Sequence, residues 1–172
     1  MFILYTIIAI MVLAGLIGFF LPQQVKLEKS ILIHAPKEVV FAEIASLPNF
    51  VTWSPWSAKD PNMTQSFSGH PGTVGANYRW KGNQKVGEGS MLTTAVQLNQ
   101  YVSYAMDFGH RGHAQTTMRV EEHGGVTRMT WEFTSDTGKN PLMHLMGPVM
   151  AGFVGKDYSA GLKNLRNKLE NN

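Results

Sequence analysis

The spacing of apolar and polar positions changes several times along the chain, and it begins with a long apolar block. Of residues 1–21, 18 are apolar and only Thr6, Gly15 and Gly18 are not. None of them carries a charge, and a helix of this length spans about 30 Å, which matches the hydrocarbon core of a bilayer. We therefore predict a transmembrane anchor over residues 1–21.

A cleaved signal peptide is the alternative interpretation of this block. Signal peptides carry basic residues before the apolar run and small residues at the cleavage site, whereas this run begins with Phe2 and ends in the bulky residues 19–21. The pattern favours a retained anchor and hence a single-pass membrane protein. Lys26 and Lys29 follow the block, and the positive-inside rule then favours a cytoplasmic location for the rest of the chain.

After the anchor the spacing switches between strand and helix periods. Residues 25–33 predict a strand with one apolar face, formed by Val25, Leu27, Ile31 and Ile33. Ala35-Pro36 begins a helix whose apolar positions recur every three to four residues and which ends before Pro48. A short second helix or turn, rich in aromatic residues, is predicted over residues 49–56.

Residues 63–135 mostly alternate with period two between turn signals, which predicts about six antiparallel strands. Gly82-Asn83 and residues 109–112 mark two of the turns. The inward positions predicted for these strands are Ala76, Tyr78, Trp80, Val102, Tyr104, Met106, Phe108, Ala114, Thr116, Met118, Val120, Met129, Trp131 and Phe133.

Residues 141–172 return to helical spacing. Pro141 begins a predicted helix, and Gly147, Pro148, Gly152 and Gly155 predict a kink or an interruption in its first half. The order of elements predicts one α+β domain over residues 22–172, in which a curved antiparallel sheet wraps a long C-terminal helix.

Composition narrows the chemistry of this domain. The chain has 172 residues, a net charge of +3 and no cysteine. The lack of cysteine excludes disulfide scaffolds, thiolate metal sites and cysteine nucleophiles. The 15 basic residues never form a run of three, so we predict no nucleic-acid partner.

Several short motifs resemble those of a known family. They are Ile31-Leu32-Ile33-His34-Ala35-Pro36 with Val40-Phe41, Trp53-Ser54-Pro55-Trp56, Gly75-Ala76-Asn77-Tyr78-Arg79-Trp80-Lys81-Gly82-Asn83, Gly87-Glu88-Gly89-Ser90-Met91, and Gly155-Lys156-Asp157-Tyr158 with Gly161-Leu162. Over residues 25–169 the chain resembles the polyketide cyclase/dehydrase and lipid-transport branch of the START and birch-pollen-allergen superfamily (SRPBCC). The resemblance implies a helix-grip fold that encloses an apolar cavity for lipids, sterols, polyketides or similar molecules. Family members include carriers, cyclases, hydrolases and chaperone-associated modules, so the fold does not select the activity.

The methionines of the predicted domain are the main indication of an apolar ligand site. The unbranched thioether of methionine adapts to irregular apolar guests, although filling gaps in an ordinary core is an equal alternative. Together with Trp53 and Trp56, Tyr78 and Trp80 either hold the polar end of a ligand or only close the mouth of the cavity. We predict a ligand-binding lining formed by Tyr78, Trp80, Met106, Phe108, Met118, Met129, Trp131, Met146, Met150 and Phe153.

Catalytic and metal-binding signals are weak. Glu88 lies between two glycines on a predicted strand; if it faced inward it could act as a base, but carboxylates at such positions more often face solvent. His110, His113 and His123 lie in or after a glycine-rich turn without a convincing third ligand, so we predict no metal and no cofactor.

Three functions remain open on the sequence. The first is membrane-anchored binding or transport of a hydrophobic small molecule or lipid, without catalysis. The second is an enzyme of the polyketide cyclase or dehydratase type, with Glu88 or a histidine as the base. The third is a stress-related protein-interaction module, which an exposed apolar patch and a filled interior would favour.

Overall fold

The computed structural model describes residues 2–138 and 141–171, apart from the side chains of residues 8–12, 14, 141 and 142. The helices are α1 (Phe2–Phe20), α2 (Lys37–Ala45), α3 (Leu47–Trp53), α4 (Pro55–Lys59), α5 (Pro141–His144) and α6 (Met146–Glu170). The strands are β1 (Gln24–Ile33), β2 (Thr64–Ser68), β3 (Asn77–Lys81), β4 (Glu88–Gln97), β5 (Tyr101–Asp107), β6 (His113–His123) and β7 (Val126–Asp136).

The strands form one antiparallel sheet in the order β1-β7-β6-β5-β4-β3-β2. Strands β2 to β7 follow one another as a meander, and β1 pairs with β7 along its whole length. A register shift between Thr93 and Ala95 interrupts the pairing of β4 with β5, and such bulges increase the local twist of a strand. The prediction of an α+β domain with an antiparallel sheet and a long C-terminal helix is confirmed.

Helix α6 lies against the concave face of this sheet. Its buried positions include Tyr158, Leu162 and Leu165, which recur at helical spacing. Gly161 brings the helix close to the sheet, because a Cβ atom there would lie 2.9 Å from the ring of Trp131. Gly152 and Gly155 do not interrupt this helix, which is continuous from Met146 to Glu170.

The break in the C-terminal segment lies earlier than predicted, at Leu145, between α5 and α6. Pro148 is tolerated because it occupies the first turn of α6, where a backbone N–H has no partner within the helix. Leu142 is one of the apolar residues in the helical spacing predicted over residues 141–172, and its side chain lies outside the described residues.

Helices α2 and α3 close one half of the concave face. The Tyr104 hydroxyl of β5 donates to the carbonyl oxygen of Ile44 at 2.5 Å, and the Thr127 hydroxyl of β7 donates to that of Ala35 at 2.6 Å. The side-chain amide of Asn164 on α6 donates to the carbonyl oxygen of Trp53 at 3.1 Å. These bonds lock the short helices onto both the sheet and α6.

The predicted single-pass membrane localisation is wrong. Within the part of the chain that is described, no helix is both long enough and apolar enough to cross a membrane. The cytoplasmic placement that was derived from the anchor loses its basis with it. Met1 and Asn172, the outer ends of the two predicted segments, lie outside the described residues.

His144 connects α1 to the beginning of the C-terminal segment. Its Nδ1 lies 2.9 Å from the carbonyl oxygen of Gly18, and its Nε2 lies 2.8 Å from that of Gly138. Only the protonated ring donates hydrogen bonds from both nitrogens. The bonds to Gly138 and then Gly18 raise the pKa of His144, Asp136 adds to the increase, and desolvation opposes it.

We expect this junction to weaken as the pH rises. Because the pKa in the folded state lies above the unfolded value of 6.5, the stabilisation is complete below that pH and is lost as the pH passes the folded-state pKa. Chemical unfolding of the wild type and of His144→Gln, from about pH 5 to about pH 9, should differ most at the acidic end. His110→Gln, in an exposed turn, is the control without effect. A difference that does not change with pH would contradict the protonated ring.

Candidate functional site

A cavity of about 280 Å³ lies between α6 and the concave face of the sheet. Strands β3, β4, β5 and β7 form one wall, and α3, α4 and α6 close it. The side chains that line it are mostly aromatic or aliphatic: Phe50, Ser54, Trp56, Met63, Tyr78, Trp80, Val86, Met91, Met106, Phe108, Arg111, Phe133, Met150, Phe153, Val154, Asp157 and Tyr158.

One wall of the cavity is a row of aromatic rings, the aromatic ladder, formed by Tyr78, Trp80 and Phe108. Tyr78 and Trp80 are two residues apart and lie on the same face of β3, and their ring centroids are 5.4 Å apart. Trp80 meets the edge of Phe108 at 5.9 Å. Gly89 pairs with Trp80 across the strands, and a Cβ atom there would lie 2.6 Å from the indole. The glycine therefore lets the indole lie against β4.

The ring of Tyr158 forms the opposite side of the cavity. It stacks on Trp131 with a centroid distance of 3.8 Å and an interplanar angle of 19°. Its hydroxyl shares a hydrogen bond of 3.0 Å with the Thr116 hydroxyl, which also accepts from the Trp131 indole N–H at 2.7 Å. Burial raises the pKa of Tyr158. The Tyr158 hydroxyl thus has its hydrogen-bond partner inside the core, and the apolar ring is the part that borders the cavity.

Few polar groups reach the cavity. Tyr78 is buried, and desolvation raises its pKa to about 12, so the phenol stays protonated and able to donate. Asp157 lines the cavity, but its carboxylate accepts from the Lys59 ammonium at 2.6 Å and 2.7 Å. Arg111 is exposed and follows Phe108 in the turn between β5 and β6. Among the described residues, the site is therefore a mainly apolar volume bordered by the Tyr78 and Ser54 hydroxyls, the paired Asp157 carboxylate and the Arg111 cation.

The structure places six of the ten predicted ligand-binding residues on the cavity walls. They are Tyr78, Trp80, Met106, Phe108, Met150 and Phe153. Trp56, considered for the polar end of a ligand, also lines the cavity, whereas Trp53 is buried behind it in edge contact with Phe50 and Trp131. Contact with a ligand at these positions remains a prediction.

The other four predicted residues lie elsewhere. Met118 and Met129 have no exposed surface and belong to the packed core. Met129 lies on β7 two residues after Thr127, whose hydroxyl donates to the carbonyl oxygen of Ala35 just before α2. Trp131 is separated from the cavity by the Tyr158 ring that stacks on it. Met146 is 53% exposed at the beginning of α6 and points to solvent.

Glu88 does not face inward. It is exposed at the beginning of β4, and its carboxylate lies 3.7 Å from the Lys81 ammonium. The alternation of β4 explains this, because Gly89 and Met91 pair with Trp80 and Tyr78 on the concave face, which turns Glu88 outward. The hypothesis of an enclosed base at this position is therefore wrong.

The histidines are dispersed. His113 lies 3.4 Å from Asp107 on the surface, and His34 lies 3.0 Å from Glu170. Within the described ranges, no group of three or more His, Asp or Glu side chains is placed to hold a metal ion.

Sequence reasoning missed several residues of the cavity, notably Met91, Tyr158 and Arg111. Tyr158 belongs to the helical apolar spacing predicted over residues 141–172, whereas Met91 lies in the predicted sheet without an assigned face. Neither pattern indicates a place on the cavity wall. Arg111 lies in a glycine-rich turn, and nothing in the spacing of such a turn indicates where the side chain points.

Comparison with known proteins agrees with this geometry. The model of one protein family, described as polyketide cyclase/dehydrase and lipid transport, matches residues 24–170. A protein of unknown function from Staphylococcus aureus, SA2116, has a TM-score of 0.68 at 14% identity, with coverage of 86% of this chain and 94% of that chain. No curated protein sequence matches this chain.

Two further solved structures are similar. Ara h 8.0201 has a TM-score of 0.66 at 12% identity, with coverage of 87% of this chain and 99% of that chain. A structure of the Aha1 dimer from Colwellia psychrerythraea has a TM-score of 0.58 at 19% identity, with coverage of 85% and 96%. At these identities the likeness shows a common fold and leaves the ligand and the activity to be argued from the site.

Proposed function

We propose that this chain, which belongs to the polyketide cyclase/dehydrase and lipid transport family, binds a hydrophobic small molecule or lipid in the cavity beneath α6. The observation that carries the proposal is the cavity itself, an apolar volume of about 280 Å³ walled by the aromatic ladder and the Tyr158 ring. Its size is close to the lower end of the range of typical ligand sites, about 300 to 1,000 Å³.

The side chains around an empty apolar cavity lack part of their van der Waals contacts. Protein interiors are close-packed, and side chains around an apolar void lose the dispersion contacts that a filled core would give them. A hydrophobic guest restores those contacts and removes its own surface from water, at about 25 cal/mol per Å² of apolar area. Four methionines line the cavity, among them Met106 and Met150, and such side chains can change rotamer at low cost to fit a guest.

Binding without catalysis accounts for the polar groups better than a cyclase or dehydratase reaction. Such a reaction needs an acid or base that reaches the substrate. Glu88 lies outside the cavity, and Asp157, the carboxylate among the described lining residues, is held by Lys59. A filled interior would favour the third function, a protein-interaction module. The apolar cavity beneath α6 therefore does not favour that function.

Fluorescence titration tests the proposed function. The full-length protein, titrated into a solution of the neutral apolar dye Nile red, should increase and blue-shift the emission until it saturates at one dye per chain. Dodecanol, a neutral alkyl chain, should displace the dye. Emission that rises linearly without saturation, or a dye that dodecanol does not displace, would overturn the proposal.

A further inference from the structure

We propose that the ligand of this cavity is an amphipathic carboxylate, whose acid group pairs with Arg111 while its apolar body lies along the aromatic ladder. This inference rests on the proposed function and adds the chemical class of the ligand. It follows from Arg111, the one cation among the described residues that line the cavity, from where its side chain lies, and from the partners of the carboxylates around it.

Arg111 is placed where the apolar wall meets solvent. The aromatic ladder runs from the buried Tyr78 through Trp80 to Phe108, and the backbone N–H of Arg111 then donates to the carbonyl oxygen of Phe108 at 3.2 Å. The guanidinium thus stands at the solvent end of the ladder. A ligand whose tail lies along these rings brings its polar end to this position.

The acidic side chains that flank Arg111 already have other partners. Asp107 on β5 lies 3.4 Å from His113 and accepts from the backbone N–H of Gly109. Glu88 on β4 pairs with Lys81. Asp157, on the far side of the cavity, is neutralised by Lys59. None of these three carboxylates is therefore paired with Arg111, and the guanidinium is left to meet the acid group of a ligand.

The guanidinium lies next to the turn between β3 and β4. Gly87 in that turn has a φ of +71°, and a Cβ atom there would lie 2.8 Å from Arg111 Nη1. Because the Arg111 side chain is exposed, its charged end is accessible to a ligand at the mouth of the cavity.

These features select a carboxylate over other head groups. A planar guanidinium offers paired N–H donors that match the two oxygens of a carboxylate. A cationic head group would meet like charge at Arg111 and find the Asp157 carboxylate occupied by Lys59. A neutral head group would bind without any dependence on Arg111 or on salt.

Matched ligands and matched variants test the proposal. Dodecanoate and dodecanol carry the same alkyl chain, and both are measured by displacement of Nile red from the full-length protein. Arg111→Gln should weaken dodecanoate by about tenfold and dodecanol by less than about twofold, because the charge-assisted pair is lost while the apolar contacts remain. Arg79→Gln, which removes a charge on the outer face of β3 next to Tyr78, should change neither.

Salt provides an independent measurement. Raising the ionic strength screens an exposed ion pair, so dodecanoate should bind the wild type more weakly in high salt, and Arg111→Gln should lose this dependence. Equal weakening of both ligands by Arg111→Gln, or no weakening of dodecanoate, would overturn the inference while leaving the proposed function intact. Failure of Nile red and of both ligands to bind the wild type would overturn the proposed function and this inference with it.

Discussion

Replacing Trp131 with alanine should lower the free energy of unfolding by about 3–5 kcal/mol, the range measured for buried aromatic residues. Trp131 is almost fully buried, stacks on Tyr158, and meets the edges of Phe50, Trp53 and Trp56. Its removal would open a second void directly behind the wall of the first. Denaturation followed by far-ultraviolet circular dichroism measures the loss, because this signal does not depend mainly on tryptophan.

Trp131→Phe separates the ring packing from the hydrogen bond. The phenyl ring keeps part of the stack on Tyr158 but cannot donate to the Thr116 hydroxyl, which still donates to the Glu132 carbonyl oxygen at 2.6 Å. We expect this variant to lose about 1–2 kcal/mol, close to the cost of one buried hydrogen bond and a small volume change. A loss under about 1 kcal/mol for Trp131→Ala would contradict a central role for this ring in the core.

The hydrogen bonds of Tyr158 explain why the cavity is stable beside a dense core. The tyrosine is held by stacking on one face and by the Thr116 hydroxyl at its end, so it cannot easily collapse into the void. Gly161, one turn further along α6, brings the helix close to Trp131. Earlier on α6, Met150 and Val154 border the cavity, although the same part of the helix packs closely against β1. The helix therefore contributes both to the core and to the wall of the cavity.

Period-two alternation predicted which side chains of the sheet face inward, and this part of the prediction holds. Met118 and Trp131 do face the concave side, as predicted. Alternation gives the direction of a side chain but not what covers it. Helices α2 and α3 fill the space above one half of the sheet, and Tyr158 covers Trp131, so inward residues there belong to the core and not to the cavity.

Helical spacing had a similar limit on α6. Met146 and Phe153 are seven residues apart and so lie on the same side of the helix, and both were predicted to line the cavity. Phe153 does so, although it is 67% exposed, whereas Met146 is 53% exposed and does not line the cavity. Which turns of a helix border a cavity depends on tertiary placement, which the periodicity of one segment does not contain.

The outward direction of Glu88 could have been predicted. Met91 is apolar and faces inward, and the alternation of β4 from Met91 back to Gly89 places Glu88 on the outer face. The glycines on both sides of Glu88 obscured this pattern, because they carry no side chain to mark a face. Arg111 offered no such pattern, since its direction is set by the contact of two turns that are distant in sequence from each other.

We expect Met150→Trp to weaken the binding of Nile red and of dodecanol by at least about tenfold, or about 1.4 kcal/mol. Met150 borders the cavity from α6, and the larger indole would occupy part of a volume of only about 280 Å³. The guest would then have to displace a side chain that already makes the apolar contacts on offer. The displacement titration described above measures the effect.

Val149→Trp is the matched control for this variant. It adds the same indole at the neighbouring position of the same helix, but Val149 is 48% exposed and does not line the cavity. Its binding of both ligands should therefore stay within about twofold of the wild type, or about 0.4 kcal/mol. Since overpacking costs about 1–3 kcal/mol of stability, thermal unfolding of both variants must show a folded protein at the temperature of the titration. If Met150→Trp is folded and binds as the wild type does, or if Val149→Trp loses binding equally, the ligand does not lie beneath α6 and the apolar cavity is not its site.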